Sequence, residues 1–359
     1  VMAELGSDEY PETVNIRGYK PNTKVHHGQI LRAMEMIYKA KRPLFLIGGG
    51  AKISGAFDEM TRLMEMLRIP VVTTIMGRGI VPTNHPLYFG NIGMHGNYAA
   101  NEAVNSSDLL ISIGTRFNDR ITGKLGTFAS KAKIIHIDID TAAISKNVTV
   151  DVPIVGDAKE AIELMTEIAE HEEACRTERW LETMESWQKK YPIKMEEKEK
   201  LVPIQIIDAI NKFYDEPIVT TDVGQNQMWT TQFLELRGKR QMLTSGGLGT
   251  MGYGLPAAIG AAIGNPGRDV ITICGDGGFQ MNSQEMATAV VQELPITICI
   301  LNNGYLGMVR QWQDLFYGKK YAGTCLRRRK SCEHFCGNDF SKCPPYTPDF
   351  VKLAESYGA

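Results

Sequence analysis

The chain alternates short apolar runs with segments of helical periodicity, and this alternation limits the possible folds more than any other feature. Short apolar runs bounded by turn residues are typical of buried strands. Parallel neighbours need a long crossover, usually a helix, so strands that alternate with helices predict parallel sheets covered by helices on both faces. The predicted strands are residues 43–47, 70–74, 108–113, 134–139 and 152–155, followed by 217–221, 241–244, 269–274 and 296–301.

The alternation falls into two series, which predicts an α/β protein with two doubly wound parallel-sheet domains, the first of them Rossmann-like. A chain of 359 residues is long enough for two cores. In the second series, helices are predicted at residues 203–213, 226–235, 254–264, 282–292 and 307–315. The predicted organisation is a linker at residues 1–23, a first domain at 24–171, a charged helical linker at 172–201 and a second domain at 202–359. We expect Trp180 and Trp187 to hold the charged linker to a neighbouring surface.

The composition excludes several classes of protein. A net charge of −2 argues against a nucleic-acid or membrane surface as partner. No apolar run approaches the roughly 20 residues that span a bilayer, and no signal peptide is visible. We therefore expect a cytoplasmic location in a bacterium, or an organellar stroma if a transit peptide has been removed. Cys175, Cys274 and Cys299 are scattered through the sequence and are interpreted as reduced core thiols.

One strand of the second domain ends in Gly275-Asp276-Gly277-Gly278, a sequence that suggests a phosphate site. Glycines let a phosphate approach the backbone, and a helix predicted from about Asn282 would offer free N–H groups. Asp276 would repel the phosphate unless a divalent cation lay between them. The next strand ends in Asn302-Asn303, at the same edge of the sheet, where Asn303 can offer an oxygen to the same Mg²⁺. The alternative is two unrelated turns.

The first domain carries Gly48-Gly49-Gly50 after its first strand, which suggests nucleotide binding. The spacing fails the usual NAD fingerprint, because Ile53 stands where a glycine is required and the next glycine is Gly55. No acidic residue closes the following strand. A dehydrogenase that transfers a hydride is therefore not expected.

Longer motifs show that the sequence resembles the thiamine diphosphate enzymes, and more closely the catalytic subunits of the acetolactate synthase family. The resemblance covers nearly the whole chain apart from about residues 325–345. The motifs that carry it are VGQNQMW at 223–229, SGGLGTMGYG at 245–254, GMVRQWQ at 307–313, GMHG at 93–96 and GTRFNDR at 114–120.

The resemblance implies where thiamine diphosphate and Mg²⁺ would bind. Asp276, Asn303 and the Tyr305 carbonyl would hold Mg²⁺. Met251 would force the cofactor into a bent shape, and Trp312 would line the pocket of the acceptor 2-ketoacid. Core packing is the alternative for Met251, Met308 and Trp312. The implied contacts to thiamine diphosphate are Val223, Gly224, Gln225, Asn226, Gly249, Met251, Gly277, Gly278, Gly307, Met308 and Val309.

The resemblance also implies a bound FAD in the first domain, without net redox chemistry. Arg116 and Arg120 would pair with phosphate oxygens, Asp138 would accept ribose hydroxyls, and Asp157 would reach the adenine. Asn118 stands where the family has Asp. The full set implied for FAD is Gly48, Gly49, Gly50, Thr74, Ile75, Met94, His95, Gly114, Thr115, Arg116, Asn118, Arg120, Ile121, Asp138, Ile139, Asp157 and Ala158.

The family's reaction is decarboxylation of pyruvate and transfer of the two-carbon unit to a second 2-ketoacid, pyruvate or 2-oxobutyrate, in branched-chain amino-acid biosynthesis. The resemblance further implies a homodimer or homotetramer and a regulatory small subunit. The open alternatives are another thiamine diphosphate enzyme (a pyruvate oxidase, glyoxylate carboligase or oxalyl-CoA decarboxylase) and an inactive cofactor-binding module.

Two features depart from the family pattern. The family's activating glutamate lies in an N-terminal domain that precedes a segment like residues 1–23, and the chain ends within a predicted helix at 348–357. We therefore expect further sequence at both ends, and we expect the 359-residue chain alone not to turn over pyruvate.

The second departure is a cysteine-rich insertion at about residues 325–345. Cys325, Cys332, Cys336 and Cys343 have the spacing C-x6-C-x3-C-x6-C, with His334 among them, whereas zinc sites use tighter pairs. A metal or iron–sulfur site, a reducible disulfide or redox-sensitive loop, and a plain surface insertion all remain open. The preceding basic run at 327–330 is interpreted as a solvated face.

Overall fold

The structure is a computed structural model that describes residues 16–18, 20–194, 201–237, 241–332, 343–346 and 348–359. Its first sheet has six parallel strands in the order β3-β2-β1-β4-β5-β6, which is a doubly wound order with a switch point between β1 and β4. The strands are β1 (Pro43–Ile47), β2 (Val71–Thr73), β3 (Tyr88–Asn91), β4 (Leu109–Ile113), β5 (Lys133–Asp138) and β6 (Val152–Val155).

Both faces of this sheet are buried, as the apolar runs predict. Phe45 and Ile47 of β1 pack into one hydrophobic cluster, and Leu44 and Leu46 pack into another on the opposite face, because successive side chains of a strand alternate in direction. The helices that build these layers are α1 (His27–Lys39), α2 (Gly49–Ile53), α3 (Phe57–Leu67), α4 (Tyr98–Ser106), α5 (Asp119–Thr122), α6 (Ala158–Ala169) and α7 (Glu178–Lys190), with 3₁₀ turns at Ile75–Gly77 and Leu125–Thr127.

Helix α7 belongs to the charged stretch and packs against α4 of the first domain. Trp180 is 3% exposed, and its Nε1 donates to the Pro43 carbonyl of β1 at 3.0 Å. Met184 is fully buried in the same cluster. This contact agrees with the expectation that the tryptophans hold the stretch to a neighbour, and it makes α7 a cover for one face of the first sheet.

The sequence analysis did not predict the edge strand β3. This strand has only four residues, and Gly90 and Asn91 interrupt its apolar pattern. A polar network stabilises it instead: the Tyr88 hydroxyl donates to Asn91 Oδ1 at 2.8 Å, and Thr73 Oγ1 donates to the same oxygen at 2.9 Å. A strand held mainly by side-chain hydrogen bonds leaves little periodicity in the sequence.

The second sheet has four parallel strands in the order β10-β9-β7-β8, with its switch point between β7 and β9. The strands are β7 (Ile218–Thr221), β8 (Gln241–Leu243), β9 (Val270–Gly275) and β10 (Ile296–Leu301). The helices are α8 (Pro203–Phe213), α9 (Gln225–Phe233), α10 (Gly254–Gly264), α11 (Asp276–Phe279), α12 (Met286–Val291), α13 (Gly307–Phe316) and α14 (Phe350–Tyr357), with a 3₁₀ turn at Ser283–Glu285. The prediction of two parallel-sheet domains is confirmed.

The two domains contact each other near the carboxyl end of α9. The buried Arg78 donates from Nη1 to the Tyr88 hydroxyl at 3.2 Å and from Nη2 to the Leu234 carbonyl. Thr83 N and Leu236 O form a second link at 2.9 Å. These bonds fix the first domain beside the carboxyl edge of the second sheet. Among the described residues, none of the helices has the length and apolar character to cross a membrane.

Trp180→Phe tests whether α7 is part of the first domain. Phenylalanine loses the indole N–H and leaves the Pro43 carbonyl without this donor, so we expect a loss of about 2 kcal/mol in the free energy of unfolding. Urea denaturation measures it. Trp187→Phe, at a partly exposed position of the same helix, is the control and should cost less. Equal losses in the two variants would contradict the assignment.

Candidate functional site

A cavity of about 380 Å³ lies at the carboxyl edge of the second sheet, facing the first domain. This is the edge where doubly wound folds bind ligands. All the residues predicted to contact thiamine diphosphate or Mg²⁺ line it, together with Trp312 and five of those predicted for FAD. The lining predicted residues are Val223, Gly224, Gln225, Asn226, Gly249, Met251, Asp276, Gly277, Gly278, Asn303, Tyr305, Gly307, Met308, Val309 and Trp312 from the second domain, and Ile75, Met94, His95, Arg120 and Ile121 from the first.

The end of the cavity at the switch point is suited to an anion. Helix α9 begins there, after Gly224, whose φ of 125° is accessible to glycine but strained for other residues. The first N–H groups of a helix have no partner within it, and the helix dipole favours negative charge at this end. Asn226 is 4% exposed, and its buried Oδ1 has no hydrogen-bond partner among the described residues. A ligand that fills the cavity could supply that partner.

Asp276 lies at the end of β9 and is 2% exposed. Its Oδ2 accepts from the Gly304 N–H at 2.8 Å. Burial raises the pKa of this carboxyl above its usual value, and the hydrogen bond from Gly304 opposes that rise. A buried carboxylate that lines a cavity is suited to a cation.

Asn303 and Tyr305 follow β10, which pairs with β9 so that Leu301 lies opposite Gly275. Asn303 Oδ1 accepts from the Tyr305 N–H at 2.9 Å, which draws the loop into a tight turn beside Asp276. A carboxylate, an amide oxygen and a backbone carbonyl are the hard oxygen ligands that Mg²⁺ prefers. The donor set present therefore fits Mg²⁺.

The structure differs from the sequence prediction in one local element. Residues 276–279 form a short helix, α11, directly after β9, and the regular helix α12 begins only at Met286 rather than near Asn282. Gly277 and Gly278 allow this early turn because they have no side chain, and the backbone there packs tightly against its neighbours. A Cβ on Gly278 would lie 2.2 Å from Asp222 Oδ1, and one on Gly277 would lie 2.8 Å from Leu306 Cδ2. The backbone that lines the cavity here is that of residues 275–278.

The loop that carries Met251 has neither helix nor strand from residue 244 to 253. Gly249 and Gly252 have φ of 70° and 88°, so they supply turns that other residues resist. The Asp222 carboxylate holds this loop, because it accepts hydrogen bonds from the backbone N–H groups of Gly252 and Gly254. The sequence analysis did not single out Asp222. Asn282 donates to the Gly252 carbonyl at 2.8 Å. The position of Asp222 between a buried strand and a turn that contains glycine was the feature of the sequence that could have identified it.

Met308 and Trp312 lie one turn apart on α13 and both line the cavity, so the structure places them in the pocket rather than in a core. The Arg120 guanidinium of the first domain lies over the Trp312 ring, 5.7 Å from its centroid. His95 lies nearby; burial and the charge of Arg120 lower its pKa. This end of the cavity thus combines an aromatic surface with a fixed cation.

The remaining residues predicted for FAD lie outside this cavity, along the carboxyl edge of the first sheet. Asn118 Oδ1 is buried and has no hydrogen-bond partner in the part of the chain that the structure describes, which fits a ligand hydroxyl or amine. Asp138 is 9% exposed at the end of β5, and burial raises its pKa. Other polar groups already have protein partners: Thr74 Oγ1 accepts from the Gly77 N–H at 3.2 Å, and Asp157 Oδ1 accepts from the Lys159 N–H at 2.9 Å. Thr115 is buried, Ala158 begins α6 and Ile139 is partly exposed.

The glycines at the first switch point pack against one another. A Cβ on Gly48 would lie 2.2 Å from the Gly114 carbonyl oxygen. Gly48 N donates to the Ile113 carbonyl at 2.8 Å, and Gly50 N donates to the Gly114 carbonyl at 3.0 Å. These two N–H groups hold β1 and β4 together and are not free for a phosphate. Gly49 is packed against Met76, and the Arg116 guanidinium lies 3.9 Å from the Cβ position of Gly247 in the second domain.

The first residues of the cysteine-rich segment pack on the predicted metal loop. Leu306 N donates to the Thr324 carbonyl and Leu326 N donates to the Gly304 carbonyl, both at 2.9 Å, so the two stretches run antiparallel. The Arg327 side chain lies against Gly304. This part of the segment is therefore integrated in the fold.

Cys336 and His334 lie outside the described residues. Among the residues that are described, no group of three or more His, Cys, Asp or Glu side chains is placed to hold a metal ion. The alternatives for the cysteine cluster therefore stay open. Burial raises the pKa of Cys175 to about 11 and that of Cys274 to about 12, which fits the interpretation of unreactive core thiols.

Comparison with known families gives the class. Residues 30–165 match the central domain of thiamine pyrophosphate enzymes, and residues 222–359 match their C-terminal TPP-binding domain. The chain belongs to the thiamine pyrophosphate enzymes.

Within that family, the chain is homologous to acetolactate synthase large subunits. It is 46% identical to probable acetolactate synthase large subunits of Methanococcus aeolicus and Methanocaldococcus jannaschii, in each case over 99% of this chain and 59% of the relative. It is 39% identical to the large subunit of acetolactate synthase isozyme 3 of Escherichia coli, over 97% of this chain and 59% of the relative. The chain thus spans less than two thirds of the length of these relatives.

Gly278→Ala tests the close packing beneath the cavity. The added methyl would lie 2.2 Å from Asp222 Oδ1, so we expect a loss of about 1–3 kcal/mol in the free energy of unfolding. Gly260→Ala, in helix α10 with open space at its Cβ position, is the control and should stabilise the chain by up to about 1 kcal/mol. Chemical denaturation compares the two. A Gly278→Ala variant as stable as the parent would refute the packing.

Proposed function

We propose that the protein containing this chain is an acetolactate synthase: it decarboxylates pyruvate and joins the two-carbon unit to pyruvate or 2-oxobutyrate. The observation that carries the proposal is one cavity that is lined both by the TPP-binding domain and by Arg120 of the first domain, whose guanidinium lies over the Trp312 ring. Homology to acetolactate synthase large subunits supports the same assignment.

Thiamine diphosphate would supply a carbon nucleophile that also stabilises the carbanion left after decarboxylation. The chain's own residues would bind and orient it. Asp276, Asn303 and the Tyr305 carbonyl would hold Mg²⁺, and the N-terminus of α9 would receive the diphosphate. Met251 would contact the cofactor from its glycine-bounded loop and favour the bent shape, which brings its reacting groups together.

The substrate end of the cavity has the features a 2-ketoacid requires. Arg120 is the one Arg or Lys among the described lining residues, so it is suited to pair with a ketoacid carboxylate. Trp312 offers a flat apolar surface to the alkyl group of the acceptor.

FAD belongs to the proposal as a second cofactor, bound along the first sheet and reaching the shared cavity. Ile75, Met94, His95 and Ile121 would contact its ring system, since they line the cavity on that side. Asn118 and Asp138 would bind its polar groups. Gly48 and Gly50 use their N–H groups in bonds to the end of β4, so they would let FAD approach the backbone closely rather than donate hydrogen bonds to it.

The proposed partners follow the relatives. They are named as large subunits, which supports a regulatory small subunit, and we propose a homodimer or homotetramer. We propose a cytoplasmic location, or an organellar stroma after removal of a transit peptide.

Asp276→Asn tests the metal site. The amide lacks the negative charge, so Mg²⁺-dependent binding of thiamine diphosphate should weaken at least about tenfold. Titration with thiamine diphosphate, in Mg²⁺ and in a chelator, can be followed by the fluorescence of Trp229 and Trp312, which line the cavity. Asp269→Asn, at the opposite end of β9, is the control and should bind like the parent. Unchanged affinity in Asp276→Asn would rule out this metal site.

Arg120→Gln tests the ketoacid pocket in the complete enzyme that carries this chain. Without the guanidinium, the KM for pyruvate should rise about tenfold or more, while the affinity for thiamine diphosphate stays near that of the parent. Arg32→Gln is the control, because Arg32 is exposed on α1 and does not line the cavity. A parental KM in the Arg120 variant would show that the carboxylate binds elsewhere.

Product analysis separates the remaining alternatives. Acetolactate from pyruvate, and acetohydroxybutyrate when 2-oxobutyrate is added, are expected of the complete enzyme. Acetate or acetyl phosphate would indicate a pyruvate oxidase instead. Tight binding of thiamine diphosphate by the complete enzyme without any turnover would indicate a cofactor-binding module.

A further inference from the structure

A buried carboxylate without a proposed role lies beneath the cofactor cavity. Asp222 directly follows β7 and is 1% exposed. Its Oδ1 accepts from Val223 N at 2.7 Å and from Gly252 N at 3.2 Å, and its Oδ2 accepts from Gly252 N at 2.9 Å and Gly254 N at 3.1 Å. In the described chain its hydrogen-bond partners are backbone N–H groups, and Gly254 opens helix α10, whose dipole favours the charge.

These bonds connect three cofactor-binding loops. Val223 begins the loop that leads into α9, and Gly252 follows Met251 in the second loop. The third loop carries Gly278, which has a packing contact instead: its Cβ position is 2.2 Å from Asp222 Oδ1. Gly252 is held at both polar groups, because its carbonyl accepts from Asn282 Nδ2. Since residues 244–253 have no regular structure, these bonds determine the position of Met251.

We propose that Asp222 is a positioning residue that sets the Met251 side chain against the thiazolium and pyrimidine part of bound thiamine diphosphate. The inference rests on the proposed function, because it requires that cofactor in the cavity. A residue that acts through the Met251 loop should affect the organic part of the cofactor more than its diphosphate, which binds at α9 and the metal site.

Asp222→Asn makes the smallest change that tests this role. The asparagine side chain has the same shape, but one of its two polar atoms is an N–H donor. That donor would face the Gly252 and Gly254 N–H groups, or the Val223 N–H group, so at least one bond is replaced by a repulsive contact. The loop must then shift away from Asp222.

The experiment compares two probes in the complete enzyme that carries this chain. Thiamine diphosphate with Mg²⁺, and inorganic diphosphate with Mg²⁺, are titrated separately by calorimetry. In Asp222→Asn we expect roughly 10- to 100-fold weaker binding of thiamine diphosphate and little change for inorganic diphosphate. Asp108→Asn is the matched control, because Asp108 also accepts two backbone N–H groups, from Lys41 and Arg42, far from the cavity. It should leave both affinities unchanged.

Each result decides the matter. Equal weakening of both probes, or no weakening of either, overturns the inference while the proposed function stands. If the parent enzyme binds neither probe, both the proposed cofactor site and this inference are refuted. If Asp222→Asn does not fold, Asn282→Ala releases the same loop from its other side. This variant should also weaken the binding of thiamine diphosphate while leaving that of inorganic diphosphate unchanged. Parental affinity for both probes would overturn the inference.

Discussion

The contact between Gly278 and the Asp222 carboxylate is the constraint on which the rest of the site depends. It lets the segments that follow the paired strands β7 and β9 approach each other closely at the switch point, where a side chain on residue 278 would collide with Asp222. The helix dipole of α9 can then act on the same space as Asp276. A side chain at residue 278 would push the segment that carries Asp276 away from the start of α9.

The first domain contributes one wall of the same cavity. The bonds from Arg78 and Thr83 to the segment after α9 fix the position of the first domain, and this places Arg120 over Trp312. Each domain supplies one residue of that pair, so neither domain forms this part of the cavity by itself. The interface between the domains therefore has a direct consequence for binding, because it sets the distance between a cation and an aromatic surface.

The sheet order and most elements follow from the sequence, because apolar runs of the right length leave a local pattern. Strand β10 and helices α8 and α10 have the predicted bounds. Strand β3 could not be predicted, since its stability comes from the Thr73–Tyr88–Asn91 network rather than from periodicity. The packing of the glycines at 48–50 could not be predicted for a similar reason: two of their N–H groups pair with residues 113 and 114, a long-range contact that the local sequence cannot show.

The two aspartates at the carboxyl edge show what the sequence could not distinguish. Asp222 and Asp276 both follow a buried strand, and both precede glycines. Asp222 receives backbone N–H groups on both oxygens, so its charge is compensated within the protein and no cation is needed. Asp276 also receives backbone hydrogen bonds, among them that from Gly304 at Oδ2, but burial still raises its pKa above the usual value, and it lines the cavity, whereas Asp222 does not. The position relative to the cavity therefore distinguishes the two carboxylates, and it depends on bonds to Gly252, Gly254 and Gly304, which are about 30 positions away along the chain.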